Sequence, residues 1–276
     1  MSAAEILDFN TRTTREVQAS DAINAVLEAH LHDKRAKQPR RTYVGASGIG
    51  KDCERALQFE FAGAPRETDF KTETLRKFDF GHMGEELARC WFQDAGFKLV
   101  QNNQRTGERF RFVQMDGRFS GEPDGVFIDG PPIPGVEYPV MWEHKAVGAK
   151  TFKQLVKDGL KKARPVYWSQ IHTCMAYLGL KQTIFTVTNL DSGEQVHLLY
   201  ELDPQEAQRM TDRAVRIITS TDAGDLLPRP YARADHFECK RCPLFTDDRR
   251  SCTFSTNEQN FVLFASQVVS KVQSII

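Results

Sequence analysis

The sequence predicts an α/β (α+β) fold with a mixed central sheet flanked by helices, and three observations favour it. Apolar residues recur at helical spacing from about residue 19 to 32 and from about 72 to 95, where Gly96 ends the pattern. Four short alternating segments then predict strands at about 98–103, 110–115, 121–128 and 140–146. Beyond them, helices and strands alternate. This mixed order is typical of layered α/β and α+β proteins.

The second half of the chain supplies the remaining elements. Helices are expected at about 151–162 and 167–178, and strands at about 183–189 and 195–201 meet across a hairpin-type turn. Asp203-Pro204 opens a further helix that reaches about Ser220, because proline fits the first helical turn. The four earlier strands are expected to form a mostly antiparallel meander.

The composition is that of an ordinary globular protein. Of the 276 residues, 40% are hydrophobic and 27% are charged, and the formal net charge is zero. Attraction to nucleic acid must therefore come from local basic stretches, of which 34–41 and 145–164 are the clearest. The alternative for each stretch is a solvated helix face or tail.

No segment predicts export or membrane insertion. The N-terminus lacks a basic start followed by an apolar run, and no stretch is apolar for long enough to span a bilayer. We therefore expect a cytoplasmic protein with no membrane partner. In that reducing compartment the six cysteines are not expected to form disulfides.

Two adjacent predicted strands carry the residues with the clearest chemistry. Pro123-Asp124 lies in the first strand and Glu143-His144-Lys145 in the second, after a connection rich in proline and glycine. Because side chains alternate along a strand, Glu143 and Lys145 project to one face and His144 to the other. If the strands pair, both residues meet Asp124. Such a group suits a hard divalent cation beside a scissile phosphate, and the alternative is a surface hairpin with ordinary ion pairs.

Pro123-Asp124 followed by Glu143-His144-Lys145 resembles the PD-(D/E)XK nuclease motif, in the RecB-like branch of that superfamily. The resemblance implies a restriction-endonuclease-like core that hydrolyses phosphodiester bonds. It implies that Asp124 and Glu143 hold one or two Mg²⁺ or Mn²⁺ ions, and that Lys145 orients or deprotonates the attacking water. The backbone carbonyl at His144 is a further metal ligand in this family, whereas its ring is expected to pack on the far face.

The helix before these strands carries a candidate third acidic ligand. Residues 81–87 are similar to the segment of phage and RecB-like nucleases in which a glycine precedes, by four residues, a His or Glu that completes the metal site. In that register Glu85 is the match, and His82 and Glu86 are the next candidates. The alternative is that all three are exposed helical charges.

Residues 167–177 resemble the glutamine motif of the RecB-like branch, in which a Gln and a Tyr on the helix after the catalytic strand face the active site. Gln170 matches the glutamine and is assigned to the catalytic group. The usual tyrosine position is Cys174, and Tyr177 comes later, so the tyrosine has no direct counterpart.

Four cysteines form a further pattern: Cys53 lies far upstream of Cys239, Cys242 and Cys252. Thiolates two residues apart, with a third close by, can bind one metal centre. One cysteine before the core and three after it resemble the iron–sulfur nucleases, including CRISPR-associated RecB-like exonucleases and AddB-type nuclease domains. The resemblance implies a [4Fe-4S] cluster that joins the two ends of the chain. Zinc, or thiols without metal, are the alternatives.

These resemblances together imply a metal-dependent DNA exonuclease that acts on single strands or duplex ends, of phage or bacterial recombination, repair or CRISPR type. One alternative is a non-catalytic iron–sulfur DNA-binding or adaptor module. Another is a structure- or site-specific endonuclease of the same fold. DNA is the expected partner, and both a homo-oligomer and a recombination or CRISPR partner protein stay open.

The expected organisation has four parts. They are an N-terminal helix and basic arm (1–45), a nuclease core (46–225), a cysteine cluster region (226–255) and a C-terminal tail (256–276). The last stretch, from Phe261 to Ile276, has the pattern of an amphipathic helix or strand that packs on the domain or on a partner.

Overall fold

The computed structural model describes residues 14–64, 70–231, 236–240 and 242. Cys252 and the predicted tail 256–276 lie outside these residues. The described chain divides into a small unit, made of residues up to Arg40 together with Phe70–Lys77, and a large unit that holds the rest. In the described part, no helix has both the length and the apolar character needed to cross a bilayer.

Helices and strands follow one another in mixed order, as the sequence predicts. The helices are α1 (Thr14–Ala36), α2 (Ala46–Ile49), α3 (Glu54–Phe61), α4 (Thr72–Asp94), α5 (Ala149–Asp158), α6 (Leu160–Ala163), α7 (Pro165–Leu178), α8 (Pro204–Ala223) and α9 (Phe237–Lys240). The strands are β1 (Val44–Gly45), β2 (Leu99–Val100), β3 (Phe112–Gln114), β4 (Phe119–Gly121), β5 (Gly125–Phe127), β6 (Val140–Val147), β7 (Gln182–Asn189) and β8 (Gln195–Glu201).

The small unit consists of α1, the start of α4 and the residues just before it. The helix α1 is longer than the predicted span of residues 19–32. Within this unit His32 Nε2 lies 3.3 Å from Thr72 Oγ1, and the Arg35 guanidinium lies 5.2 Å from the centre of the Phe70 ring. Among the apolar side chains of α1, Ile23, Val26 and Leu27 are exposed, and Leu31 is half-buried.

The large unit is built on a five-stranded mixed sheet in the order β2-β5-β6-β7-β8. The central pair β6 and β7 is parallel, and the other pairs are antiparallel. A crossover through α5, α6 and α7 joins the two parallel strands, as a parallel pair requires. The predicted fold class, a mixed sheet flanked by helices, is confirmed.

The sheet has helices on both faces. On one face Met141 and Phe185 pack with Ile171 of α7 in the larger core cluster. On the other face Trp142 packs with Ala88 of α4 in a second cluster. Trp142 donates its indole N–H to Thr186 Oγ1 on the neighbouring strand over 3.0 Å, so that this buried polar group is satisfied.

The prediction of one strand over residues 121–128 is wrong, because β4 ends at Gly121 and β5 begins at Gly125. Pro123, which has no N–H to donate to a ladder, lies in the gap. The strand β4 instead pairs with β3 and, in parallel, with β1 in a separate three-stranded sheet. The four predicted segments are therefore divided between two sheets and do not form a meander, but the pairs among them, β2 with β5, β3 with β4 and β5 with β6, are antiparallel as expected.

The shortness of β5 opens the sheet beside β6. Gly125 lies opposite Trp142, and among the described strands β6 is paired only with β7 from Glu143 onward. A Cβ atom at Gly125 would come within 2.8 Å of Leu99 Cδ1 and 3.2 Å of the Val100 carbonyl oxygen, so a larger residue there would displace the Leu99 side chain and crowd the backbone of β2. Asp124 immediately precedes it, at the open edge of the sheet.

Candidate active site

Asp124 is fixed at the open edge of the sheet by two hydrogen bonds. Its Oδ2 accepts a hydrogen bond from the His144 N–H over 2.8 Å, which ties it to β6. Its own carbonyl oxygen accepts from Gln101 Nε2 over 3.2 Å. Asp124 thus lies beside Glu143 and Lys145, as the pairing argument predicts.

Glu143 projects from β6 toward α7 and is fully buried, with 0% of its surface exposed. Its Oε1 accepts a hydrogen bond from Gln170 Nε2 over 2.6 Å and another from Lys145 Nζ. The other oxygen, Oε2, is buried and has no hydrogen-bond partner in the described structure. A buried carboxylate oxygen without a partner is costly, so the position calls for a ligand.

Lys145 lies on the same face as Glu143, two residues along β6. Besides Glu143, its ammonium donates to the His144 carbonyl oxygen over 3.0 Å and lies 3.9 Å from Asp124 Oδ2. The ammonium also lies 5.4 Å from the centre of the Tyr167 ring on α7. One cation therefore sits among two carboxylates, a carbonyl and an aromatic face.

Glu85 approaches this group from α4 and is half-buried. Burial, and then the neighbouring charge of Asp124, raise its pKa to about 7, while the charges of Lys145 and Arg109 oppose the shift. The two residues act on each other electrostatically only because they are close. Of the three acidic or basic candidates on this helix, Glu85 is the one that the described charges link to Asp124.

His82 and Glu86 differ from Glu85 in their surroundings. Both are exposed, and Glu86 pairs with Arg89 on the next helical turn. The hydrogen bond from Arg89 lowers the pKa of Glu86, whereas burial raises that of Glu85. The structure does not bring His82 or Glu86 into the group around Glu143.

The surroundings of the site shift the pKa values of its buried charged groups, Glu143 and Lys145, upward. Burial and the charge of Asp124 raise the pKa of Glu143 to about 8. Burial lowers the pKa of Lys145, but the charges of Glu143 and Asp124 outweigh it, and the pKa of the ammonium is raised. Lys145 therefore stays charged, which suits a role in orienting water or offsetting negative charge.

The His144 ring lies on the opposite face of β6, as strand alternation predicts. Its Nε2 lies 2.9 Å from Thr188 Oγ1 on β7, and burial lowers its pKa to about 4. The ring is thus a neutral, packed histidine. Its backbone, in contrast, takes part in the site, because its N–H holds Asp124 and its carbonyl accepts from Lys145.

Sequence reasoning missed two neighbours of the site, Tyr167 and Gln101. Tyr167 precedes Gln170 by one helical turn, so α7 presents an aromatic ring to Lys145 from that position. Tyr177 lies elsewhere, stacked on Phe112 with ring centres 4.5 Å apart. The i, i+3 spacing of Tyr167 and Gln170 is the one signal in the sequence that could have indicated Tyr167.

The donor set fits a hard divalent cation. Carboxylate and carbonyl oxygens are the ligands that such ions prefer, and Glu143 Oε2 is an unpartnered oxygen of that kind. Burial, and then the charge of Asp124, raise the pKa values of Glu143 and Glu85, and a bound cation would favour the ionised form of both. In the described residues, no group of three or more His, Cys, Asp or Glu side chains is arranged to hold a metal ion as it stands.

The chain at the beginning of the cysteine region is held against α3 by hydrogen bonds between a side chain and the backbone. Gln58 is buried, donates to the Asp225 carbonyl over 2.6 Å and accepts from the Leu227 N–H over 2.9 Å. Cys53 caps the same helix, and its charge is among the causes, after burial, that raise the pKa of Cys239. These two thiols are therefore neighbours.

The remaining cysteines are placed as follows. The Cys242 N–H donates to the Cys239 carbonyl oxygen over 3.1 Å, and Cys242 is half-buried. Cys252 lies outside the described residues, so the four-cysteine set stays a prediction. Cys174 is buried and Cys90 is half-buried.

Comparison with known proteins gives limited similarity. No protein-family model and no curated protein matches the chain. An alkaline exonuclease (LHK-Exo) from Laribacter hongkongensis is similar at 18% identity and a TM-score of 0.47, over 67% of this chain and 90% of that chain. A phage-related exonuclease from Haemophilus somnus 129PT is similar at 10% identity and a TM-score of 0.40, over 59% and 77% of the two chains. Likeness at this level carries no function, which therefore depends on the site itself.

Stability of the metal-free protein should fall as the pH rises from 6.5 to 8.5. The pKa of Glu143 is about 8 in the fold, against 4.5 for an ordinary glutamate. The protonated side chain therefore stabilises the fold fully below pH 4.5, and this stabilisation is lost as the pH rises through about 8. The expected loss of unfolding free energy is on the order of 1 kcal/mol. Urea unfolding at both pH values in the presence of a chelator measures it.

Glu143→Gln is the matched control, because it removes the titration and keeps an oxygen for Lys145. The free energy of unfolding of this variant should fall less between pH 6.5 and 8.5. The two proteins contain the same histidines, so these do not affect the comparison. Equal losses in the two proteins would contradict the raised pKa of Glu143.

Proposed function

We propose that this chain is a metal-dependent DNA nuclease that hydrolyses phosphodiester bonds, and that it acts as an exonuclease on single strands or duplex ends. The observation that supports it most is the buried Glu143, whose unpartnered oxygen lies in a group with Asp124, Lys145 and Gln170. A buried carboxylate oxygen without a hydrogen bond is uncommon in folded proteins and suits a position at which a cation binds.

The proposed ligands of the metal are the carboxylates of Asp124, Glu143 and Glu85 and the backbone carbonyl of His144. Bound there, a Mg²⁺ or Mn²⁺ ion would activate water and offset the charge that develops on the phosphate. Asp124 is held ready by the His144 N–H, and Glu143 by Gln170, so both carboxylates are oriented before any ion binds.

Lys145 places a permanent positive charge at the same point. Its raised pKa excludes the neutral amine as the resting form near pH 7, so the ammonium orients water and stabilises the pentacovalent phosphorus. Tyr167 borders the ammonium and limits the directions from which a substrate can approach it. Gln170 is a positioning residue, because it acts on Glu143 and not on the phosphate.

The proposed DNA-binding surface includes one face of α5. Lys150, Lys153 and Lys157 are exposed and are spaced at i, i+3 and i+7, so they form a row along the helix. The helix starts four residues after Lys145, at the end of β6 that carries the site. A row of lysines beside a phosphodiester-cleaving site suits the DNA backbone.

One digest decides between the proposed activity and its alternatives. The purified chain is incubated with end-labelled single- and double-stranded DNA and Mn²⁺, with and without a chelator. Release of nucleotides that stops with the chelator supports the exonuclease, whereas discrete fragments would indicate an endonuclease. Binding without metal-dependent degradation would indicate a non-catalytic DNA-binding module and overturn the proposal.

Substitutions at the site should remove cleavage and spare binding. We expect Asp124→Ala and Lys145→Ala each to lower the rate of DNA degradation by a factor of about 10³ or more, because each removes a charge that acts on the phosphate. Gel-shift binding in the presence of Ca²⁺ should change little. Unchanged degradation by either pure variant would refute the assignment.

Glu85 and Glu86 make a matched pair on one helix. Glu85→Gln should lower the rate strongly, at least about 100-fold, because the proposed third carboxylate is lost. Glu86→Gln, which removes the same charge from an exposed neighbour, should leave the rate within a factor of about two. The reverse order would move the third ligand to Glu86.

The lysine row can be tested through salt dependence. Replacing Lys150, Lys153 and Lys157 by alanine should weaken DNA binding and reduce the slope of log K against log salt by about one for each phosphate that the variant no longer neutralises. The control is Lys181→Ala, since this exposed lysine precedes β7 at the opposite end of the parallel strand pair. An unchanged slope in the triple variant would place the DNA elsewhere.

We propose in addition that Cys53, Cys239, Cys242 and Cys252 hold a [4Fe-4S] cluster with a structural role. The neighbouring thiols of Cys53 and Cys239, and the hydrogen bond between Cys242 and Cys239, support this interpretation. Zinc is the rival, because four thiolates also make a closed tetrahedral site. The cluster would stabilise the fold, and the carboxylates would carry the hydrolysis.

Metal content separates the three interpretations of the cysteines. Protein purified without oxygen should be brown and contain about four iron atoms per chain, and Cys239→Ser should lose both colour and iron. The control is Cys90→Ser, which removes a thiol of α4 outside the proposed set and should keep the colour. A colourless protein with about one zinc would indicate a zinc site. Absence of both metals would contradict any cluster.

A further inference from the structure

The helix α4 carries a row of exposed apolar side chains. Phe80, Met83, Leu87 and Trp91 recur every three or four residues and therefore lie on one side of the helix. They are 56%, 69%, 50% and 49% exposed, respectively. Four large exposed apolar side chains in a row are unusual for a surface that faces only water.

The proposed nuclease site does not account for this row. The side of α4 that packs on the sheet carries Ala88 and Phe92, which belong to the Trp142 cluster, and Gly84, whose Cβ would lie 3.3 Å from Ala146 Cβ. Glu85 points to the site from that flank. The exposed row therefore belongs neither to the core nor to the proposed site.

The sequence contains a segment with a complementary pattern, at 261–276. On a helix its apolar residues fall on one continuous side, and they are Phe261, Val262, Phe264, Ala265, Val268, Val269, Val272, Ile275 and Ile276. The opposite side carries Gln267, Ser270, Gln273 and Ser274, interrupted by Leu263. Such a helix needs an apolar surface to cover about half of its circumference.

The lengths of the two surfaces and of the connection are compatible. From Phe80 to Trp91 the row extends about 16 Å, and sixteen residues of helix extend about 24 Å. The proposed cluster would hold Cys252, which leaves the eight residues 253–260 as the free connection. When extended they span about 27 Å, which is more than the radius of gyration of about 19 Å for a compact domain of this size.

We propose that residues 261–276 form an amphipathic helix that docks on the α4 row of the same chain. This is the helix-in-groove mode of recognition, with apolar side chains of one helix placed between those of another. The tether favours the chain's own segment over one from a second copy, because it holds the segment at a high effective concentration.

The test uses full-length protein and Trp91 as the reporter. The chain has three tryptophans, of which Trp142 is fully buried. In the V268D/V272D variant, two charges enter the apolar side of the segment, and acrylamide should quench one more tryptophan than in the unchanged protein. The S270D/S274D control adds the same charge to the polar side and should quench like the unchanged protein. With Trp91→Phe in the background, the difference should vanish.

A reciprocal measurement starts from α4. Lys271 lies within the segment, and trypsin should cut there slowly in the unchanged protein. Leu87→Ser should speed this cleavage severalfold, because it weakens the surface on which the segment rests. His82→Ser, an exposed change on another side of α4, is the control and should not. This arm also decides the matter if the double aspartate variant fails to fold.

Light scattering identifies the occupant. The proposal requires a monomeric mass for the protein whose Trp91 is protected, and protection that does not depend on protein concentration. Protection that appears only with a doubled mass would assign the row to a second copy and overturn the proposal. Equal quenching in the two aspartate variants, together with unchanged cleavage at Lys271 in Leu87→Ser, would also overturn it.

Discussion

The burial of the Glu143 carboxylate is the constraint on which the rest of the site depends. Water is excluded from it, one oxygen is shared between Gln170 and Lys145, and the other oxygen has no partner. In a low-dielectric surrounding, such a group either takes up a proton or attracts a cation. The charge of Asp124 disfavours the ionised form of Glu143 and the charge of Lys145 favours it, so both neighbours affect which of the two occurs.

The topology of the sheet explains why the site can reach both layers of the protein. The strand β6 is central, but β5 stops opposite Trp142 and leaves the following residues of β6 open on one side. At that opening α4 brings Glu85 from one layer and α7 brings Gln170 from the other. If β5 paired with the whole length of β6, the sheet would lie between the two helices and keep their side chains apart. The short strand is therefore what makes a joint site feasible.

The sequence predicts the local features of the site better than the global ones. Strand alternation alone separates Glu143 and Lys145 from the His144 ring, because the period of two is a property of the backbone. The break at Pro123 and the parallel pairing of β6 with β7 depend on long-range packing that no local pattern encodes. For the same reason Tyr167 was missed. The apolar period of α4 indicates a face, but not whether that face meets the sheet or the solvent.

Gln58 closes a very long loop with one side chain. It joins α3 to backbone atoms 167 and 169 residues away, around the whole of the sheet. The entropy of closing a loop grows only with the logarithm of its length, so doubling the enclosed chain would add about 0.6 kcal/mol to the cost. A domain inserted at the exposed turn at Ser192 would therefore put little strain on the hydrogen bonds of Gln58. This turn is accordingly a suitable position for a fusion.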